Sequence, residues 1–303
     1  MTAASMSYEV VHDWPKLPES YVLGQVTGLA VDSERHVFVF HRADRLNRDH
    51  IDVLLPSPTV LCLDAETGEM LSTWGENLFT MPHGLTIDHE DNLWLTDVGE
   101  RVMKFTRDGE LLQAFGEFGV PGCDGAHFNL PTDVAVTPAG DFYVADGYGN
   151  YRVAKFAADG TFLFDWGEEG SGPGQFRTPH SITLDAAGRV YVAGRENSRI
   201  QVFDPDGGFV AAWKSEELGR PWGVQIGPDN LLYVADGGDW EPGSGQRSRL
   251  LVLDLDGNIL AKWGSYGRYD GQMVWAHEVA VDAEGSVYVC DIHGMRVQKF
   301  RRV

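Results

Sequence analysis

Thr132-Asp133-Val134-Ala135-Val136, Asp141-Phe142-Tyr143-Val144-Ala145-Asp146, Tyr151-Arg152-Val153-Ala154-Lys155-Phe156 and Thr161-Phe162-Leu163-Phe164-Asp165-Trp166 follow one another in a single short span. Each alternates apolar and polar residues with period two, and Gly, Asp and Pro clusters bound each one, so all four read as β-strands. The pattern recurs: six copies open at Thr27, His83, Thr132, His180, Trp222 and His277, spaced by 56, 49, 48, 42 and 55 residues. Four antiparallel strands per ~45 residues, repeated six times, describe the blades of an all-β six-bladed propeller rather than a sandwich. Asp-Gly pairs at 108–109, 159–160 and 256–257 predict tight hairpin turns between the third and fourth strands.

The two ends of the chain predict how the ring closes. The sixth copy runs out at Val297-Gln298-Lys299-Phe300, after its third strand. The segment Tyr8-Glu9-Val10-Val11-His12-Asp13-Trp14 resembles the fourth strands, which end in Trp74, Phe115, Trp166, Trp213 and Trp263. Residues 8–14 are therefore expected to complete the last blade, which leaves only short, protected sheet edges. The repeat occupies nearly the whole chain, so residues 1–303 are expected to form a single domain.

Composition narrows the partners. The net charge of −21 argues against a nucleic-acid or anionic-membrane surface, where Lys and Arg must neutralise phosphate. Cys62, Cys123 and Cys290 are odd in number and widely spaced, with no C-x-x-C. That implies no disulfide framework and fits a reducing, cytoplasmic compartment. Met1-Thr2-Ala3-Ala4-Ser5-Met6 lacks the basic start and apolar core of a signal peptide, and no apolar run reaches transmembrane length.

In a propeller the first strand of every blade lines the central channel, so equivalent positions face one another. The opening position reads Thr27, His83, Thr132, His180, Trp222, His277 around the ring. One histidine there would more often be a hydrogen-bonded structural residue. Three on alternate blades point at one axis about 120° apart, as the six-fold repeat requires. Three imidazoles with no thiolate or carboxylate suit zinc first, with iron, cobalt or copper as alternatives. Three protein ligands leave a coordination position open, the mark of a catalytic site. Pro82 and Pro179 precede two of the histidines and should stiffen their approach.

The end of the second strand supplies another register: Phe40-His41-Arg42, Thr96-Asp97-Val98, Ala145-Asp146-Gly147, Ala193-Gly194-Arg195, Ala235-Asp236-Gly237 and Cys290-Asp291-Ile292. Arg42 and Arg195 stand in opposite blades, and guanidinium suits bidentate capture of a carboxylate. Tyr148 lies beside them in blade three. Alone it would be a packing residue, but near a cation and two guanidinium groups a phenol becomes a candidate base. Glu278, directly after His277, could bind a second, hard cation together with backbone carbonyls of the inner strands. The first-blade insertion, residues 43–58 with Arg45, Arg48 and His50, reads as a lid over the channel mouth or as a surface loop.

These motifs carry a specific resemblance. The chain resembles the NHL-repeat six-bladed propellers, and within them the peptidyl-α-hydroxyglycine α-amidating lyases. The resemblance rests on Gly24-Gln25-Val26-Thr27-Gly28-Leu29, Val39-Phe40-His41-Arg42-Ala43-Asp44, Met81-Pro82-His83-Gly84-Leu85, Trp94-Leu95-Thr96-Asp97-Val98, Ala145-Asp146-Gly147-Tyr148, Pro179-His180-Ser181 and Arg195-Glu196-Asn197-Ser198-Arg199-Ile200-Gln201. It implies that His83, His180 and His277 hold zinc, that Tyr148 is the catalytic tyrosine, and that Arg42 and Arg195 are the active-site arginines. It also implies a structural calcium ion on Glu278 and the carbonyls of Leu29 and Leu85, although the family has Asp where this chain has Glu278. The family's disulfide positions are Gly149, Tyr191 and Val202 here, Ala276 stands where Pro usually precedes the third histidine, and Gly194 replaces an Asp. The repeat leaves no stretch over for the copper monooxygenase domain that makes the hydroxyglycine.

The expected function is a zinc-dependent lyase that cleaves the C–N bond of an N-substituted α-hydroxyglycine, a small or peptide-derived carbinolamide, to an amide and glyoxylate. Two other readings stay open. One is hydrolysis of a small ester, lactone or amide at the same metal; the other is a non-enzymatic NHL binding platform.

Overall fold

Asp133–Val136, Phe142–Asp146, Arg152–Phe156 and Phe162–Trp166 pair in that order as one antiparallel sheet, the blade expected from the third copy. The structure is a computed structural model that describes residues 6–46, 52–238 and 247–303. Within it six such four-stranded sheets succeed one another, and their first strands are Val26–Val31, Pro82–Ile87, Asp133–Val136, Pro179–Leu184, Pro221–Ile226 and Ala276–Val281. A minor parallel pair, Ser265–Tyr266 with Gln272–Met273, lies between the fifth and sixth blades in the chain. Among the described residues no helix is long and apolar enough to cross a membrane.

Burial follows position in the blade. Second strands such as Phe142–Asp146 and Val190–Gly194 are buried along their whole length, because neighbouring blades cover both faces. Outer strands such as Leu111–Phe115 and Phe209–Trp213 have no fully buried residue. The core therefore lies between sheets. Between blades two and three, Trp94, Phe128, Phe142 and Phe156 form one cluster with Phe115 against it.

The ring closes with the N-terminal segment. Tyr8, Glu9 and Val10 pair with Arg302, Arg301 and Phe300, which makes residues 8–10 the fourth strand of blade six. This strand is shorter than the 8–14 expected: Asp13 takes a positive φ of 58° and turns the chain off the edge. Trp14 nonetheless does what the other strand-end aromatics do. Trp74, Phe115, Trp166 and Trp213 each lie against a glycine in the outer hairpin of the next blade, at Gly109, Gly160, Gly207 and Gly257, and Trp14 lies against Gly68 of blade one. These glycines have φ between 77° and 88°, and a Cβ on Gly109 would come 2.8 Å from the Trp74 ring. Positive φ and the indole both select glycine there. The Asp-Gly pairs thus sit in five-residue connections such as 106–110 rather than in two-residue turns. The longer loop carries the glycine under the ring.

Candidate metal centre and its cavity

His83, His180 and His277 each lie at the start of an inner strand, and at each the pairing with the second strand slips. The irregularities fall between Pro82 and Leu85, between Pro179 and Ser181, and between Ala276 and Val279. A bulge re-aims a side chain out of strict alternation, so each imidazole can face the axis. Pro82 and Pro179 are the first residues of these strands, not loop residues. The ring centroids form a nearly equilateral triangle with sides of 4.8, 4.9 and 5.1 Å, the geometry that alternate blades predict. Their candidate ligand atoms all lie within 4.8 Å of one another, and all three residues are buried.

Protonation is set by the backbone. Nδ1 of His83 donates to the Thr132 carbonyl at 2.7 Å, and Nδ1 of His180 donates to the Trp222 carbonyl at 2.7 Å. A carbonyl only accepts, so the hydrogen sits on Nδ1 and Nε2 presents its lone pair. Each carbonyl belongs to the opening residue of the next blade. The third imidazole has the equivalent neighbour, the Thr27 carbonyl, but its Nδ1 falls short of a formed hydrogen bond. Burial foremost holds all three far below the usual imidazole range, helped by His277 and Arg42 at His83, by Arg195 and His83 at His180, and by Arg42 and Arg195 at His277. They are therefore neutral, the form that binds a metal. Three neutral imidazoles, two of them with Nδ1 anchored to a backbone carbonyl as metal-binding histidines commonly are, fit a metal ion that takes nitrogen ligands.

Tyr148 reaches the same axis. Its oxygen lies 2.9 Å from Nε2 of His83 and 3.2 Å from Nε2 of His180. Gly147 makes this possible: a Cβ there would stand 1.8 Å from the Pro179 carbonyl oxygen, so a larger residue would push the loop off blade four. Arg195 donates from Nη1 to the Tyr148 oxygen at 3.2 Å and from Nε to Glu196 at 3.0 Å. Its guanidinium also lies 4.5 Å from the centre of the Trp222 ring. Glu196 pairs in turn with Arg220, whose Nε reaches the Arg195 carbonyl. Arg42 donates to the Pro82 carbonyl and to Oε1 of Gln25, both at 3.1 Å.

The blades that carry these two arginines depart from the others at one position. In blades two, three, five and six the second strand ends in Asp97, Asp146, Asp236 or Asp291. Each is fully buried and ion-paired to an arginine of the third strand. Each also accepts backbone N–H groups from the segment entering its blade. Blade one has His41 instead, whose Nδ1 accepts from Gly24 and Ala43. Burial pushes His41 down to about 4. Blade four has Gly194, and Asn197 takes over by accepting from Arg177 N. Both substitutes hold the backbone without placing a buried carboxylate next to Arg42 or Arg195.

Arg42, Tyr148, Arg195 and His277 line one cavity of about 370 Å³, together with Gln25, Met81, Trp222, Trp275, Ile292 and His293. Gln25, Glu196, Arg220, Trp222 and Trp275 were not singled out as site residues from sequence. Trp222 stands in the same opening register as the three histidines, which is the signal that places it at the axis. Arg45 is tied to the carbonyls of Val53 and Thr80, whereas Arg48 and His50 of the same insertion lie outside the described residues.

A second cavity, of about 230 Å³, brings together Leu29, Leu85 and Glu278, the residues expected around calcium, and adds Asp133. Burial first, and then Asp133, drives Glu278 well above the usual carboxylate range. Asp133 itself accepts from Val134 and Ile182 N–H groups. The register after the opening residue reads Gly28, Gly84, Asp133, Ser181, Gly223, Glu278. Its two carboxylates fall in opposite blades, and that spacing could have revealed Asp133.

An NHL repeat matches residues 128–156 and 176–203. The chain is 38% identical over 309 residues to peptidyl-glycine alpha-amidating monooxygenase B of Xenopus laevis, covering 95% of this chain and 35% of that protein. It spans about a third of the length of the amidating monooxygenases it matches. It is 34% identical over 321 residues to peptidyl-alpha-hydroxyglycine alpha-amidating lyase 2 of Drosophila melanogaster, covering 96% of this chain and 74% of that one. It is also 34% identical to human NHL repeat-containing protein 3, covering 97% and 84%. Among solved structures, a streptogramin B lyase shares the fold with a TM-score of 0.62 at 14% identity, with 98% of each chain covered. The chain belongs to the family of NHL-repeat six-bladed propellers that includes the peptidyl-α-hydroxyglycine α-amidating lyases.

Proposed function

We propose that the protein is a zinc-dependent carbon–nitrogen lyase that converts an N-substituted α-hydroxyglycine into an amide and glyoxylate. One observation carries this reading: the Tyr148 oxygen lies within hydrogen-bond reach of His83, His180 and Arg195, in a cavity that Arg42 also lines. His83, His180 and His277 would hold the ion, which when bound supplies a Lewis acid that makes the substrate hydroxyl easier to deprotonate.

The chain's own groups do the rest. Arg42 and Arg195 hold the substrate carboxylate and offset the negative charge that grows as the hydroxyl ionises. Tyr148, acting as its phenolate, takes the hydroxyl proton on Oη. The O–H electron pair becomes the carbonyl of glyoxylate, the C–N bond breaks, and its electron pair leaves on the amide nitrogen. That nitrogen takes up a proton, for which Oη is the near source.

In the second cavity Glu278 and the carbonyls of Leu29 and Leu85 would hold a structural calcium ion, to which Asp133 would add a carboxylate. A cytoplasmic setting is supported by three cysteines that form no disulfide. The net charge of −21 supports a small or peptide-derived substrate over nucleic acid or membrane.

The test is metal content measured together with glyoxylate release from an N-acyl-α-hydroxyglycine. Stoichiometric zinc with release supports the lyase. Zinc without release, but with hydrolysis of small esters or lactones, makes it a hydrolase, and absence of zinc and of any other bound transition metal favours a binding platform.

A further inference from the structure

The cavity of about 370 Å³ beside the histidines, hereafter the upper cavity, mixes donors with an aromatic surface. The donors Gln25, Arg42, Tyr148 and Arg195 come from blades one, three and four, Met81 comes from blade two, and the aromatic and apolar group Trp222, Trp275 and Ile292 comes from the adjacent blades five and six. The tryptophan side begins at the metal ligands themselves: the Trp222 ring centre lies 5.5 Å from that of His180 and 5.6 Å from that of His277. Trp275 continues the surface, 5.6 Å from Trp222 with the planes 35° apart, and His293 packs edge-on against Trp275 at 4.0 Å. Trp222 is almost fully buried between the histidine rings and Arg195, so it borders the cavity as a fixed backing, and the half-buried Trp275 offers the open indole surface. Among the described lining residues none is acidic.

For a molecule with its carboxylate on the arginines and its reacting carbon beside the histidines, blades five and six offer the group on its nitrogen a continuous apolar direction. That direction runs along the two indoles. Aromatic rings gain from offset or edge-on contact beyond their buried area, and a preformed apolar surface costs little ordering. A substituent carrying positive charge meets two guanidinium groups and no carboxylate.

We propose that Trp222 and Trp275 form the subsite for the N-substituent, and that the protein selects α-hydroxyglycines whose neighbouring group is aromatic or bulky and apolar. This rests on the lyase reading for the polar end of the substrate. The binding test does not require turnover.

The probes are N-benzoylglycine and N-acetylglycine, which lack the α-hydroxyl and are not cleaved, titrated calorimetrically into the zinc-loaded protein. The benzoyl compound should bind at least about tenfold tighter, the discrimination a hydrophobic pocket gives. Trp275→Ala should reduce the difference below about threefold, and Trp275→Phe should restore it. Equal affinity of the two probes for the natural protein overturns the proposal, with no dependence on any variant folding. A preference that survives unchanged in Trp275→Ala also overturns it. Turnover of the matching α-hydroxy compounds then separates the two claims. Cleavage of both without preference in binding sinks the subsite and keeps the lyase. Selective binding without cleavage of either keeps the subsite and sinks the lyase.

Discussion

The Tyr148 hydroxyl points at the face of His83 that a metal would use: its oxygen is 2.9 Å from Nε2, while Nδ1 on the far side of the ring is taken by a backbone carbonyl. With Nδ1 carrying the hydrogen, the contact is a phenol donating to an imidazole lone pair. The proposed base and the first ligand thus share one point on the axis.

Tyr148→Phe should lower turnover by about 10²–10⁴-fold, the usual contribution of a positioned acid or base, and leave zinc content at one per chain. Steady-state kinetics beside metal analysis checks this. Unchanged turnover removes the proposed role.

His180→Ala removes one of three buried ligands and leaves the other two close together. Bound zinc should fall from stoichiometric to a small fraction, and the thermal midpoint should drop by several degrees, because metal affinity is folding free energy. Chelation of the natural protein should cause a similar drop, reversed by added zinc. Full zinc occupancy in His180→Ala would falsify the three-histidine centre.

Glu196 bridges Arg195 and Arg220 without lining the upper cavity. Glu196→Gln should loosen the guanidinium and raise KM for the carboxylate substrate roughly tenfold, with a smaller change in kcat, as misplacement of a binding group does. A glycinamide-type substrate without the carboxylate should show no such rise. If both substrates respond alike, the effect is on folding rather than on Arg195.

His41, pushed down to about 4 by burial, makes stability depend on pH. Between pH 6.5 and 4 the unfolded chain takes up a proton that the folded site refuses, so stability falls as pH drops through that window, by about 3 kcal/mol from this group. The three axial histidines act in the same direction. Glu100, raised to about 7 by burial, acts in the opposite one. His41→Asn isolates the term: urea midpoints taken from pH 7 to pH 4 should fall less steeply than in the natural protein. Parallel curves would remove His41 from the account.

Trp14 packs against Tyr288 of blade six, 5.1 Å between ring centres, and over Gly68 of blade one. Trp14→Ala should cost about 3–5 kcal/mol, as loss of a buried Trp side chain does, and should appear as a lower denaturant midpoint. An effect below about 1 kcal/mol would mean the closure depends on the strand pairing of residues 8–10 alone.

Different parts of this site were legible to different depths. The blade count, the closing segment and the alternate-blade histidines could be read because a repeat makes equivalent positions face one another. Arg42, Arg195 and Tyr148 followed from a second register, and all three line the cavity beside His277. Asp133 was overlooked although its register pairs it with Glu278. Glu196 and Arg220 could not have been found that way, because Arg220 lies in the approach to blade five, outside the repeated strands.

By itself the sequence determined the architecture and the axis, since period-two alternation and a six-fold repeat need no knowledge of contacts. Only the tertiary structure decided the chemistry of the axis. The bulges that turn the histidines inward arise in the strand pairing of each blade, whereas the carbonyls that set two of their tautomers and the cavity lining arise between blades. Those contacts join residues forty or more positions apart, as His83 to Thr132 and His180 to Trp222 do. A local pattern specifies the strand but not the neighbour that strand will meet.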